Sequence, residues 1–251
     1  MAHIRVVTPV IPTGLTKAED FEGILATEDT VDFVEIDRGP ASIESGFDEM
    51  LASAGTVAKI IEAEAAGVDA VVIDCMDDPG LRAGRESVSI PVLGPGEASM
   101  NLACMLGHRF SVLSVLANMR VLFETHARLY GAWDKYASTR SVEIPVRDLH
   151  AQSDLLKSNL LEQALLALTQ DGADTIILGC TGMLGVAHNL QTDLQRAGWD
   201  VPVIDPIPVT IRLAKLLVQS GISHSKAVYP TPRKKLMQGY DGSALEAFRG
   251  S

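Results

Sequence analysis

Short runs of β-branched and aliphatic residues alternate along the chain with longer segments in which apolar residues recur at helical spacing. This is the pattern of repeated βαβ units building a mainly parallel sheet. The runs predict strands over 5–8, 33–36, 70–74, 91–93, 110–115, 142–144, 175–178 and 202–204. Between them, 52–65 and 155–168 carry the apolar stripe of a helix and stop at Gly67 and Gly172, residues suited to the backbone that ends helices. After Cys75 an aspartate is expected to cap a helix with Pro79 at its first position, and after Cys180 Thr181 is expected to cap a helix over 183–196.

The eight strands fall into two sets of four, and the two sets repeat. Residues 67–75 align without a gap on 172–180, with Gly, Asp and Cys matched around a β-branched core, so that Cys75 and Cys180 lie 105 positions apart. The fourth strands repeat as Ile90-Pro91-Val92-Leu93 and Val201-Pro202-Val203-Ile204, 111 positions apart, and Val34-Glu35-Ile36 echoes Val142-Glu143-Ile144 at 108. Drifting offsets are what changed loop lengths between two related halves produce. The expected fold is α/β with two pseudo-symmetric halves, each a four-stranded parallel sheet flanked by helices, and the active site in the cleft between them. The first half spans 1–106 and carries Cys75, with the C-terminal helix completing it; the second spans 107–251 and carries Cys180.

Composition narrows the partners. A net charge of −11 gives no concentrated basic face, which argues against nucleic acid or an anionic membrane; the one basic run, Arg233 to Lys235, reads as a solvated tail. The chain goes directly from Met1 into a β-like run and contains no apolar stretch of membrane-spanning length, so a cytoplasmic protein is expected. Three cysteines, an odd and sparse set, fit a reducing compartment rather than a disulfide framework. There is no CxxC pair, no phosphate-binding loop, and Gly94-Pro95-Gly96-Glu97 lacks the third glycine of a dinucleotide fingerprint, so no metal and no cofactor is expected. His188, on the helix after Cys180, reads as an exposed helical residue, and Asp74, Asp77 and Asp78 read as caps and turn residues.

Cys75 and Cys180 each follow the third strand of their half, at the carboxyl edge where open α/β sheets bind ligands. Cys104, inside an apolar helical stretch, reads as core packing. Two thiols facing each other suit one chemistry: one removes a proton from a carbon and the other delivers a proton to its opposite face. A thiolate is a workable base because thiols titrate near about 8.5, and a helix N-terminus beside each is expected to lower that value.

The segments around Asp69–Gly80, Gly96-Glu97-Ala98, Phe110–Leu116, Glu143–Val146 and Gly179–Gly182 resemble the cofactor-independent Asp/Glu racemase superfamily, and within it the hydantoin and allantoin racemases. The resemblance runs to about residue 217. It implies that Cys75 and Cys180 are the catalytic acid/base pair, that a homo-oligomer forms, and that a small molecule is bound by the loops after Thr8, Cys75, Val115 and Cys180. From those loops Pro9, Val10, Met76, Ser114, Asn118, Thr181 and Gly182 are the expected substrate contacts. Thr8-Pro9-Val10 stands where that branch carries an Asn-Pro-Asn turn, which points to a more apolar pocket formed in part by Val10 and Met76. The expected activity is racemisation of a 5-substituted hydantoin or allantoin-like ureide. An Asp/Glu-type amino-acid racemase, a related cysteine-dependent isomerase or decarboxylase, and a non-catalytic binding protein stay open as alternatives.

Overall fold

The computed structural model describes residues 1–14, 18–236 and 248. Its strands form two four-stranded sheets, all parallel and with the same strand order. In the first, β1 (His3–Thr8) lies between β2 (Thr30–Glu35) and β3 (Ala70–Ile73), with β4 (Val92–Leu93) beyond β3. In the second, β5 (Phe110–Ser114) lies between β6 (Tyr136–Ser141) and β7 (Thr175–Leu178), with β8 (Val203–Ile204) beyond β7. The register is shared too: Val7 pairs with Val34 and Ile73, and Leu113 pairs with Arg140 and Leu178.

One strand departs from the expectation. Apolar spacing puts the sixth over 142–144, but the chain pairs with β5 over Tyr136–Ser141, a half-exposed edge strand made mostly of polar residues. The buried Val142 and Ile144 follow it and still donate backbone hydrogen bonds to Ser114 and Val115, while Glu143 between them turns to a positive φ of 56°. By register Val34 therefore matches Arg140, so the echo of 34–36 in 142–144 is two residues out of step.

The helices are α1 (Gly46–Ala65), α2 (Leu81–Ser87), α3 (Pro95–Leu106), α4 (Arg120–Leu129), α5 (Ser153–Gln170), α6 (Ala187–Arg196) and α7 (Pro206–Ser220). At the start of α1 the Ser45 hydroxyl accepts from the Asp48 N–H while the Asp48 carboxylate accepts from the Ser45 hydroxyl, a reciprocal cap. Gly67 and Gly172, at φ of 78° and 70°, turn the chain out of α1 and α5 as expected.

Alternate faces of the first sheet bury different helices, as the two-residue period of a strand requires. Val7, Val71 and Ile73 pack with Ile60 and Ala63 of α1, whereas Ile4, Val6, Ala70 and Val72 pack with Ile207, Ile211 and Ala214 of α7. Ile207 and Ile211 are almost wholly buried there, each contributing roughly 1.5–3 kcal/mol, so the first half depends on the end of the chain for one of its layers. The corresponding helix α3, which precedes residue 106, packs Met100 and Ala103 against Phe110 and Ile177 of the second sheet. Thus each half sends its last helix onto the other half's sheet, and α3 and α7 pack against each other along the seam. No helix among the described residues is long and apolar enough to cross a membrane.

Candidate active site

Strand order sets the place of the site. In each sheet the chain leaves its central strand to one side and returns to the other, which opens a crevice at the carboxyl ends of β1 and β3, and of β5 and β7. Cys75 lies two residues past Ile73 and Cys180 two past Leu178, and both free thiols line one cleft between the sheets. A hydrogen bond joins the two ends directly: the Thr181 hydroxyl donates to the Asp74 carbonyl at 3.3 Å, linking the residue after one cysteine to the residue before the other.

Of the expected contacts, Pro9, Val10, Met76, Thr181 and Gly182 line this cleft. Ser114 and Asn118 do not. Ser114 is fully buried and its hydroxyl has no partner, for a reason visible in the other half. There the matching Thr8 donates to the Asp74 carboxylate at 3.1 Å, but the place of Asp74 is taken by Gly179, whose Cβ would come within 2.8 Å of the Leu113 carbonyl. Asn118 is exposed, and its amide donates to the Glu44 carbonyl at 2.8 Å. Together with the Val146 N–H on the Glu44 carboxylate at 2.7 Å, that bond straps the loop before α1 across the cleft to the second half.

The rest of the lining was missed because it comes from segments with no periodic tie to the strands. Asp20 and Phe21 belong to a short 3-10 turn, and Ala41, Ser42 and Ile43 to the strapped loop. Met119, Leu122 and Phe123 come from the start of α4, with Val146 and His150 beyond β6. The amphipathic stripe of α4 was the available signal for the apolar wall. His188 is exposed on α6, and Cys104 is half-buried against the second core, as read from the sequence.

The turns after the cysteines differ from the expected caps. Thr181 opens a 3-10 turn, Thr181–Met183, and α6 begins only at Ala187. On the other side α2 starts after Gly80, at a left-handed φ of 75°, with no side-chain cap. Asp78 caps α3 instead: its carboxylate accepts from the N–H groups of Gly96 and Glu97 at 2.9 and 2.8 Å, and from the Tyr130 hydroxyl at 2.7 Å. Gly94 has no side chain because a Cβ there would collide with that carboxylate. The matching position before α7 is Asp205, whose carboxylate accepts from the Gly185 N–H at 2.9 Å, with no side-chain cap bond to the helix, whereas α3 takes its cap from Asp78 in the cysteine loop.

Burial dominates the electrostatics. It pushes the Cys180 thiol up to about 12, against the lowering effect of the Gly182 and Met183 N–H groups, with the Asp74 and Glu44 charges adding to the rise. Cys75 is likewise raised well above the ordinary thiol range, by burial first and then by Asp77, and the charge of Cys180 is felt there as well. The expected helix N-terminus effect is therefore present only as backbone donors that burial outweighs. Burial also raises Asp77 to about 8, helped by the charges of Glu49, Asp78 and Asp48, and raises Asp78 to about 7 against its three hydrogen bonds. No group of three or more His, Cys, Asp or Glu side chains that could hold a metal ion occurs among the described residues.

This arrangement has known counterparts. Residues 18–214 match the family model described as Asp/Glu/Hydantoin racemase. The chain is 35% identical to a hydantoin racemase of Rhizobium meliloti over 242 residues, covering 95% of this chain and 98% of that one. Among solved structures it superposes on an allantoin racemase from Klebsiella pneumoniae with a TM-score of 0.90 at 30% identity, covering 99% of both chains. An allantoin racemase from Pseudomonas fluorescens gives a TM-score of 0.85 at 29% identity, covering 94% of this chain and 99% of that one. With most of its length matched and its two parallel sheets shared, the chain belongs to the Asp/Glu/hydantoin racemase family of isomerases.

Proposed function

We propose that the protein racemises 5-substituted hydantoins or closely related cyclic ureides without a cofactor, Cys75 and Cys180 serving opposite faces of the carbon beside a ring carbonyl. The observation that carries this reading is one free cysteine from each sheet, at matching strand ends, in a single cleft. In one direction a thiolate takes the proton as the C–H bond breaks, and the electron pair moves into the carbonyl as an enolate. The opposite thiol then gives its proton to the same carbon from the other face. The cysteines finish with their protonation states exchanged, so the reverse reaction starts from the other sulfur. A buried thiol ionises rarely at neutral pH, but its thiolate is a stronger base toward a weak carbon acid than an exposed one.

The lining argues for the substrate class. No Lys or Arg occurs among the described lining residues, whereas Asp20 and Asp74 are present. A dicarboxylic amino acid would bring further negative charge to that surface with no cation to offset it. A neutral ring meets no such cost, and Phe21, Ile43, Met119, Leu122 and Phe123 offer an apolar wall for its substituent. The relatives named hydantoin racemase and allantoin racemase support the same class. Pure enantiomers of hydantoins with apolar substituents, of allantoin, of glutamate and of aspartate test it when followed by polarimetry without added cofactor. Rotation should decay fastest for the apolar hydantoins. Decay confined to glutamate or aspartate would overturn the reading.

A further inference from the structure

Asp77 follows Cys75 by two residues on the cleft wall and is only 3% exposed. Neither of its carboxyl oxygens has a hydrogen-bond partner. The charges acting on it are all acidic, Glu49 and Asp48 from α1 and Asp78 from its own loop. Its backbone N–H donates toward the Cys75 sulfur, so its side chain and that thiol share one short turn. An ionised carboxyl here would be a buried charge with neither cation nor donor, an arrangement that proteins avoid. A neutral carboxyl keeps one O–H donor, and that donor lacks an acceptor in the protein. Asp78, one residue on, is as buried yet accepts three hydrogen bonds, so burial alone does not leave a carboxyl on this loop unpartnered.

We infer that Asp77 is a substrate-binding acid whose neutral carboxyl donates a hydrogen bond to the substrate's ring carbonyl oxygen next to the reacting carbon. The inference rests on the racemase reading and adds to it a residue that holds the oxygen where charge develops. Such a bond strengthens as the carbonyl becomes an enolate, so it lowers the barrier more than it tightens binding. It also favours a neutral carbonyl over a carboxylate, whose charge would meet the acidic groups around Asp77. Burial and the neighbouring carboxylates keep the donor proton in place up to about pH 8. Above that pH the donor is lost and a negative charge faces the enolate.

The test compares Asp77→Asn, which keeps a neutral donor of similar size, with Asp77→Ala, which keeps none, on a chiral hydantoin that the wild type racemises. Asp77→Ala should lose about a hundredfold in kcat with little change in KM, and Asp77→Asn should stay within about fivefold of wild type at pH 7. After subtraction of spontaneous racemisation, the wild-type rate should climb with pH and then level off above about pH 8, while that of Asp77→Asn keeps climbing. Both variants should melt at or above the wild-type temperature, because each removes a buried carboxyl that lacks a partner. An Asp77→Ala variant as active as wild type, a profile for Asp77→Asn that levels at the wild-type pH, or a loss of activity in both variants alongside lowered melting temperatures would overturn the inference while leaving the racemase reading intact. Failure of the wild type to racemise any cyclic ureide would overturn both.

Discussion

The loops after Cys75 and Cys180 leave matching strand ends and then diverge. Asp74 with its Thr8 hydrogen bond stands on one side, and Gly179 with the unpartnered Ser114 hydroxyl on the other. Beyond the cysteines, Met76 to Gly80 is an acidic turn that lends Asp78 to α3, whereas Thr181–Met183 is an uncharged 3-10 turn that offers N–H groups to the sulfur. The parallel ladders keep both sulfurs at the cleft, because strand register fixes position to within a residue. The loops carry no such constraint, and their difference gives the thiols unequal surroundings, the charges of Asp77 and Asp78 beside Cys75 and two backbone N–H donors, from Gly182 and Met183, beside Cys180. Structural symmetry thus brings one thiol from each half to a single cleft, and loop asymmetry gives each its own surroundings.

The largest stability effect is expected at the cap of α3. Asp78→Ala leaves the Gly96 and Glu97 N–H groups and the Tyr130 hydroxyl without their acceptor, and should cost about 3 kcal/mol in urea unfolding. Part of that loss depends on pH. Asp78 is raised to about 7 in the folded protein, above its unfolded value near 4, so the folded state holds its proton more tightly; that contribution to stability is full below about pH 4 and is lost as pH rises to about 7. The gap between wild type and Asp78→Ala should therefore narrow between about pH 4 and 7; a gap that stays constant from pH 5 to 8 would mean the carboxylate is held ionised throughout.

Thiol reactivity gives an effect of intermediate size. In a Cys104→Ser background, alkylation of Cys180 in Cys75→Ser should be about tenfold faster at pH 8 than alkylation of Cys75 in Cys180→Ser, because the thiolate reacts and Cys75 faces the charges of Asp77 and Asp78 while two backbone N–H groups donate toward Cys180. The reverse order would place the aspartates' influence on the wrong sulfur. The smallest effect contrasts the two central strands. Ser114→Ala removes a hydroxyl that has no partner and should change stability by less than about 0.5 kcal/mol, whereas Thr8→Ala breaks a hydrogen bond to Asp74 and should cost about 1 kcal/mol. Equal losses would show that the two strand ends are energetically alike after all.

What could be read from the chain follows the same division. Buried parallel strands announce themselves as β-branched runs, so β3 and β7 were legible to within a residue or so, and their repeat located both cysteines. The edge strand β6 was not, because a half-exposed edge needs no apolar run; the apolar Val142 and Ile144 that drew attention anchor the chain just beyond it. Asp78 was correctly read as a cap, but the helix it caps lies sixteen or more residues further on, which local capping patterns cannot reveal. Phe21, Met119, Phe123 and His150 reach the cleft only through tertiary packing of turns and α4, so nothing in their spacing tied them to the cysteines. Ser114 and Asn118 were placed at the site by their nearness to the end of β5, yet one turns into the core and the other spans to Glu44.

The central claim is that the two sulfurs serve opposite faces of one carbon. Hydrogen exchange in D₂O, followed by NMR on each pure enantiomer of a hydantoin substrate and corrected for spontaneous exchange, tests it most directly. Cys75→Ser and Cys180→Ser should both abolish racemisation, since serine does not ionise usefully at neutral pH. The remaining thiol can still remove and return a proton on its own face. Each variant should therefore exchange the ring C–H of one enantiomer with retention, and the two variants should select opposite enantiomers. Exchange of the same enantiomer by both variants, or normal racemisation by Cys75→Ser, would contradict the account and leave one sulfur carrying all the proton transfer.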